Sequence, residues 1–558
     1  MEQFRMVMAI VLSCLVFLGY NFFFSEKNEN KVVQQEPSPK AVSPALPEEK
    51  MDAEKKKDVD TPTAVSTAID MAGKQNTNPE KVITIEGPLY TVKIDTRGAV
   101  VKSVKLREYR ETVDKDSAPK ELISRENKQG TLQLGLEGNS LPELKGAVFA
   151  SELLSEHVKL SDKPLEIPFT WVSNKGVTVE KRYRFSPGSY LIGLDISLSN
   201  QSEREIQDSL TLSLRNQTPK EASQYGFEGP SALINEKLEQ IKTDSIEKKN
   251  LYSGKIGWIS LQDRYFLTSI IPKESGEAGM QLTLKESDTL EAKWVAPQIM
   301  LSPQQKKVIS VDVYFGPKKI SVLKSFENGL DRAVDFGWFD FIARPCLWIM
   351  NFIHQIIPNY GIAIIILTIL IKAILWPLGQ KSYKSMNQMK RMQPLMTEIR
   401  EKYKNDKRKI NEETMALYRT YKVNPMGGCL PMVAQIPVFF AFYRMLYEAI
   451  ELRHAPFWGW INDLSAPDRL FHFNISSIPF MEPPYGIPVL TIIMGATMFI
   501  QQKMQPPMGD PAQAKMMMFM PVIFTVIFIN FSSGLVLYWL VNNILSIAQQ
   551  YFVSKKTA

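Results

Sequence analysis

The sequence predicts an α+β membrane protein: an N-terminal anchor helix, a large β-sandwich outside the membrane, and a five-helix transmembrane core with a cytoplasmic helical hairpin. Three observations predict it. Apolar runs of near membrane-spanning length occur once at the N-terminus and five times after residue 359. Residues 81–337 instead alternate apolar and polar side chains, with turn residues between the runs. One loop, 380–428, carries twelve Lys and Arg against five acids, which accounts for the whole net charge of +7.

The first element is Met6–Phe24, an apolar run with no small-residue cleavage site after it. It is longer than a signal-peptide core, so residues 1–24 are predicted to be a retained anchor. Cys14, in the middle of that run, reads as a small packing residue. Residues 25–80 are rich in Lys, Glu, Asp, Pro, Ser and Thr, as in PSPKAVSPALPEEK. So few large apolar side chains cannot offset ordering entropy, and a disordered tether is expected.

The β-region, 81–337, is clearest at a hairpin. Val177, Val179, Tyr183 and Phe185 interleave with Thr178, Glu180, Arg182 and Arg184. The turn Ser186-Pro187-Gly188-Ser189 follows, and Tyr190, Ile192, Leu194, Ile196 and Leu198 alternate again. Further runs lie at 209–214 and 308–315. No cluster of acids, histidines or aromatics marks a site, so this part reads as a scaffold or docking domain. The four histidines (157, 354, 454, 472) lack metal-ligand spacing. The three cysteines (14, 346, 429) are odd in number, and none lies in 25–345, so no disulfide framework is expected.

Residues 338–358 are aromatic, with Asp340, Arg344 and His354 breaking the run, as suits a helix lying in the membrane interface. The core, 359–558, holds five apolar segments: 361–379, about 429–449, 486–502, about 517–531 and 534–553. The first contains Lys372, with Thr368 and Trp376 one turn away on the same face. A lysine inside a span costs roughly 2.5–3.5 kcal/mol, which either a wet site or snorkelling must relieve. Gln435, Asn542, Asn543 and Ser546 add polarity on the third and last spans.

Loop charge sets the orientation: 380–428 goes to the cytoplasm, which puts 25–340 outside and both termini inside. Outer loop 450–485 has only Arg453 and Arg469 as bases, and its Phe457, Trp458 and Trp460 suit an interfacial belt. Within the cytoplasmic loop, Met386, Met389, Met392, Met396, Ile399 and Tyr403 recur at helical spacing, an adaptable apolar stripe on a basic helix. Asn411 is the expected cap of a second helix, with Glu412 and Glu413 in its first turn. The pair reads as a platform for an anionic partner, ribosomal RNA or lipid headgroups. No nucleophile–base pair, phosphate loop or metal cluster is present, so neither enzyme activity nor a cofactor is expected. A solute transporter or channel with an outer receptor domain is the alternative, but the sequence shows no paired broken helices of the transporter kind.

Several segments together carry a family resemblance. KAILWPLGQKSYKSMNQMKRMQPLM, MALYRTYKVNPMGGCLPMVAQIPVFFAFYRML, ELRHAPFWGWINDLS and FMPVIFTVIFINFSSGLVLYWLVNNILSIAQQ resemble the YidC membrane protein insertases, relatives of the mitochondrial Oxa and chloroplast Albino proteins. GWISLQDRYFLTSIIP and GLDRAVDFGWFDFI extend the likeness upstream, so it covers about 80–558, including the large periplasmic domain of Gram-negative members. The resemblance implies five spans around a hydrophilic groove, open to cytoplasm and lipid but closed outside. Lys372 stands where the family usually has arginine; it keeps the charge and loses the planar fork. Thr368, Gln435 and Asn542 would line the groove. Ile436, Pro437, Phe439, Phe528 and Phe531 would form an apolar slide for the client helix. Trp539 occupies a common tyrosine position, and Ser532 a common proline position. The implied partners are nascent membrane proteins, the Sec translocon, membrane lipids, and the ribosome through the hairpin and the basic tail at Lys555 and Lys556. The implied location is the bacterial inner membrane, as a multi-pass protein.

Overall fold

A computed structural model describes residues 79–558 except 154, 219–225, 275, 286–287, 405, 422, 424–429, 474–477, 506–510 and 558. The expected anchor, and the tether up to residue 78, lie outside the described residues.

Strands fill the chain from Val82 to Pro317. A five-stranded sheet orders Pro119–Glu121, Val100–Arg110, Tyr90–Asp95, Val82–Glu86 and His157–Lys159, the last two pairing parallel. A larger, 13-stranded sheet has Leu251–Gln262 as its pivot. The first half of that strand pairs with Glu277–Lys285, and the second half with Phe266–Pro272. The expected hairpin forms with Phe185 opposite Ile192 and Tyr183 opposite Leu194. Gly188 supplies the positive φ (75°) of its turn.

Alternation decides which side chains face inward, and it includes one surprise. Val177, Val179, Tyr183 and Phe185 are buried as expected, and the same register buries Lys181, at 0% exposure. Its ammonium donates to the backbone carbonyls of Gly98 (3.2 Å), Ala99 (2.6 Å) and Leu132 (2.9 Å). The surrounding carbonyls satisfy the N–H donors of the side chain, which is what makes a buried lysine tolerable.

Helices take over after Pro317. Those that matter here are α1 (Asp340–Ile356), α2 (Tyr360–Arg391), α3 (Gln393–Lys402), α4 (Lys407–Thr420), α5 (Leu430–Glu448), α6 (Val489–Met504), α7 (Pro511–Phe528) and α8 (Ser533–Thr557). Among the described residues one helix, α2, is long and apolar enough by itself to cross a membrane. Asn359 caps it, accepting from the Ile362 amide at 3.1 Å. Contrary to the sequence reading, α2 does not stop near Gly379. It continues unbroken to Arg391 and supplies the first arm of the basic hairpin.

Two expectations about that hairpin are corrected. The second helix is capped by Asp406, which accepts from the Lys409 amide at 3.0 Å, and Asn411 lies inside α4. The methionine stripe is not an open surface either. Met386, Met389 and Met392 are buried with Val423 and packed by Tyr383, Leu417 and Tyr418. The Tyr418 hydroxyl also donates to Met396 Sδ at 3.6 Å. The apolar side of the basic helix is therefore used in closing the hairpin on itself.

Candidate functional site

α8 is the helix against which α2 and α6 pack. Asn542, Asn543, Ser546, Gln549 and Gln550 recur on it at three and four, which puts them on one stripe. Lys372 Nζ, on α2, donates to Ser546 Oγ at 2.6 Å, and the Ser546 hydroxyl donates to Asn542 O at 2.7 Å. Gln549 Nε2 donates to Trp376 O at 3.0 Å. This close approach needs Gly379, since a Cβ there would stand 2.8 Å from the Gln549 amide. Toward α6, Asn543 Nδ2 reaches Thr497 Oγ1 at 3.3 Å, and Gln550 Nε2 caps the Met504 carbonyl at 3.0 Å. Polar groups inside an apolar bundle must find such partners, and the side chains of Asn543, Ser546, Gln549 and Gln550 form a seam on α8.

Thr368, expected beside Lys372 in a wet groove, is only 2% exposed, and its hydroxyl donates within its own helix to Ile364 O at 2.7 Å. Gln435, on α5, is half-buried and lies near the Tyr538 hydroxyl of α8. Asn542 is half-buried and enters the seam through its carbonyl.

The aromatic residues named from the sequence come together from three helices. Phe439 of α5 meets Trp539 of α8 edge-on at 4.7 Å. Phe528 of α7 lies 5.2 Å from Trp539 and 4.7 Å from Phe531. Tyr443 closes the group on Phe531 at 5.8 Å. Such pairs contribute about 0.5–1.5 kcal/mol each beyond their burial. Phe528 is 3% exposed, so in this state it is a packing residue of the cluster. Ile436 and Pro437 lie one turn before Phe439 and are half-buried. Trp539 and Ser546 are seven residues apart on α8, so they share a face about 10 Å apart along the axis. One side of one helix thus carries the aromatic cluster and then the ammonium-bearing seam.

Beyond the aromatic end, loops close over the helices through buried charges that sequence reasoning treated only as loop composition. Asp468 accepts from Trp460 Nε1 at 2.5 Å and from the first amides of α6. Trp460 is half-buried, with its indole N–H held by that carboxylate. Arg469 donates to the carbonyls of Pro484 (2.9 Å), Asp468 (2.9 Å) and Ile529 (2.8 Å) and to Asn530 Oδ1 (3.2 Å). The β-region is tied to the same end. Arg264 Nε donates to Tyr447 O at 2.7 Å and lies over the Tyr447 ring, and an Arg444 guanidinium nitrogen donates to Asp335 O at 3.0 Å. The periodic stripe on α8 could have been read in full from the sequence. The Asp468–Arg469 knot gave no local signal, because its partners lie in distant turns.

The comparisons with known proteins agree with this architecture. Residues 82–349 match the family described as the YidC periplasmic domain, and residues 352–558 match the 60Kd inner membrane protein family. A membrane protein insertase YidC from Syntrophus aciditrophicus is 39% identical over 99% of this chain and 99% of its own length. One from Syntrophobacter fumaroxidans is 44% identical over 84% of this chain and 86% of its own. A crystal structure of an active YidC insertase aligns with 85% of this chain and 93% of its own, at 19% identity and a TM-score of 0.37. Full-length identity at this level, together with two family matches that cover the β-rich and helical regions in order, shows that the chain belongs to the YidC family of membrane protein insertases.

Proposed function

We propose that this chain inserts integral proteins into the bacterial inner membrane, and helps them fold, through a polar groove with one positive charge beside an aromatic slide. The observation that carries the reading is the placement of the Lys372–Ser546 pair and the Phe439–Phe528–Trp539 cluster along one side of α8. In this reading α2, α5, α6, α7 and α8 span the membrane. The β-rich domain is periplasmic and both termini are cytoplasmic.

The energetic task is to lower a barrier. A client with a short acidic outer tail must bring polar groups into hydrocarbon, at several kcal/mol for each unsatisfied group. A groove wetted along the α8 seam shortens the dry path. Support for water there comes from Gln549 Oε1 and Gln550 Oε1, buried acceptors without a partner among the described residues. Lys372 uses one of its three N–H donors on Ser546, leaving two to attract a carboxylate. The client helix then leaves past Ile436, Pro437 and Phe439, and apolar burial in lipid drives the transfer. The basic hairpin and the tail at Lys555 offer an electrostatic platform for a translating ribosome, anionic lipid surrounds the spans, and the Sec translocon is a further partner.

Photocrosslinking tests the site. Probes at 372, 436 and 439 are expected to capture a stalled nascent membrane protein. A probe at Ile374, which is 76% exposed and about 200° around α2 from Lys372, is expected to capture lipid alone. Client crosslinks from 374 and from none of the other three would reject the groove.

A further inference from the structure

We propose that the outer loop between α5 and α6 is a membrane-interface foot: its phenylalanines dip into the outer leaflet beside α6. The proposal rests on the reading above that α6 spans the membrane. The loop contains a small antiparallel pair, Leu470–Phe473 with Tyr485–Ile487. Phe471 and Phe480 are 68% and 78% exposed, and Phe473 and Ile487 are exposed beside them. Such a group of large apolar side chains on one loop marks an interaction surface.

The backbone holds two of these rings outward at a cost. Phe471 and Phe480 have φ of 53° and 64°, a left-handed conformation that bulky side chains rarely adopt. Such backbone persists only when its surroundings over-determine it, and here they do. Arg469, two residues before Phe471, binds the Pro484 and Ile529 carbonyls and Asn530. Asn530 in turn donates to Phe480 O at 3.1 Å and accepts from the Glu482 amide at 2.9 Å. The loop is therefore pinned to the turn between α7 and α8, level with the helix ends.

Two observations favour lipid as the occupant. Exposed apolar side chains recur on the adjoining α6, where Ile492, Ile493, Phe499 and Ile500 are exposed. Between residues 470 and 488 the ionisable side chains are only His472, Glu482 and Tyr485, so the surface carries little charge to select a folded partner. Phenylalanines flanked by such helices suit the apolar side of a headgroup boundary.

The test uses the full chain in lipid nanodiscs, with Cys14, Cys346 and Cys429 changed to alanine. Phe471→Cys, Phe480→Cys and, as a reference on α6, Ile493→Cys each receive an NBD fluorophore. At 471 and 480 the expected result is a blue-shifted emission, loss of intensity with a nitroxide near the lipid headgroup, and no loss with aqueous iodide. Iodide quenching at 471 and 480, with 493 still quenched by lipid nitroxide, would overturn the foot and leave the spanning reading intact. A blue shift without nitroxide quenching would mean that protein covers the loop, a client or another partner, and would also overturn it. Escape of 493 from lipid quenching would remove the spanning of α6, and the foot with it.

Discussion

Ser546→Ala separates the charge of Lys372 from the geometry that holds it. The substitution deletes the hydroxyl that accepts from Lys372 at 2.6 Å and keeps the ammonium. A hydrogen bond to a charged group contributes roughly 1.5–3 kcal/mol in soluble proteins. Interhelical side-chain bonds in membranes average only about 0.6 kcal/mol, because the separated helices find other partners. The short distance and the charge favour a value between these two figures, so a stability loss of about 1–2 kcal/mol is expected in thermal unfolding of the solubilised chain. Insertion should respond differently. All three ammonium donors become available to a client carboxylate, and the field of the charge is unchanged. Proteoliposome insertion of a small acidic-tailed client, scored by protease protection, should stay within about threefold of wild type, equivalent to less than 1 kcal/mol. A loss as deep as that of a charge-reversed Lys372 would refute the reasoning, because position rather than charge would then be limiting.

Two further predictions concern packing and pH. Gly361→Ala would place a Cβ 2.0 Å from Phe457 Cδ2 and 2.9 Å from its Cβ, so the ring cannot swing clear. The helix-propensity gain of about 1 kcal/mol is outweighed by overpacking of roughly 1–3 kcal/mol, and the melting temperature should fall; a rise would contradict the contact. For Lys181, burial pushes the ammonium down to about 7 from its ordinary 10.5. Between those values the unfolded chain binds more protons, so the stability of the β-rich domain should rise with pH from about 7 to 10.5. Lys181→Met should abolish that slope and, by leaving three carbonyls without their donor, cost roughly 3 kcal/mol in urea unfolding. A wild-type slope that survives in the methionine variant would place the titration elsewhere.

What could be read from the sequence was whatever repeats locally. Strand alternation at 177–198 encodes facing directly, and it returned the buried set correctly. Lys181 escaped because its acceptors, Gly98, Ala99 and Leu132, are between 49 and 83 positions away. Apolar runs located the core helices but not their ends. α2 runs on into polar sequence because nothing between Gly379 and Arg391 breaks a helix. Asp406 and Asn411 are equally good caps by composition, and the basic Lys407-Arg408-Lys409 read as loop hid the true start. The methionine stripe was correctly periodic, but its exposure depended on Val423 folding back from the far side of the hairpin. Phe439, Phe528, Phe531 and Trp539 were each legible as apolar residues on spans; that they form one cluster is a tertiary fact.

The most direct test of the central claim compares Lys372→Arg and Lys372→Glu on clients with acidic and with neutral outer tails. Arginine keeps the positive charge and changes the shape of the donor group, whereas glutamate reverses the charge, so the pair isolates charge as the property under test. The account predicts near wild-type insertion with arginine. With glutamate it predicts a defect that is deepest for acidic-tailed clients and mild for neutral ones. Wild-type insertion of acidic-tailed clients by the glutamate variant would contradict it and reduce Lys372 to a lysine that merely snorkels to the membrane edge.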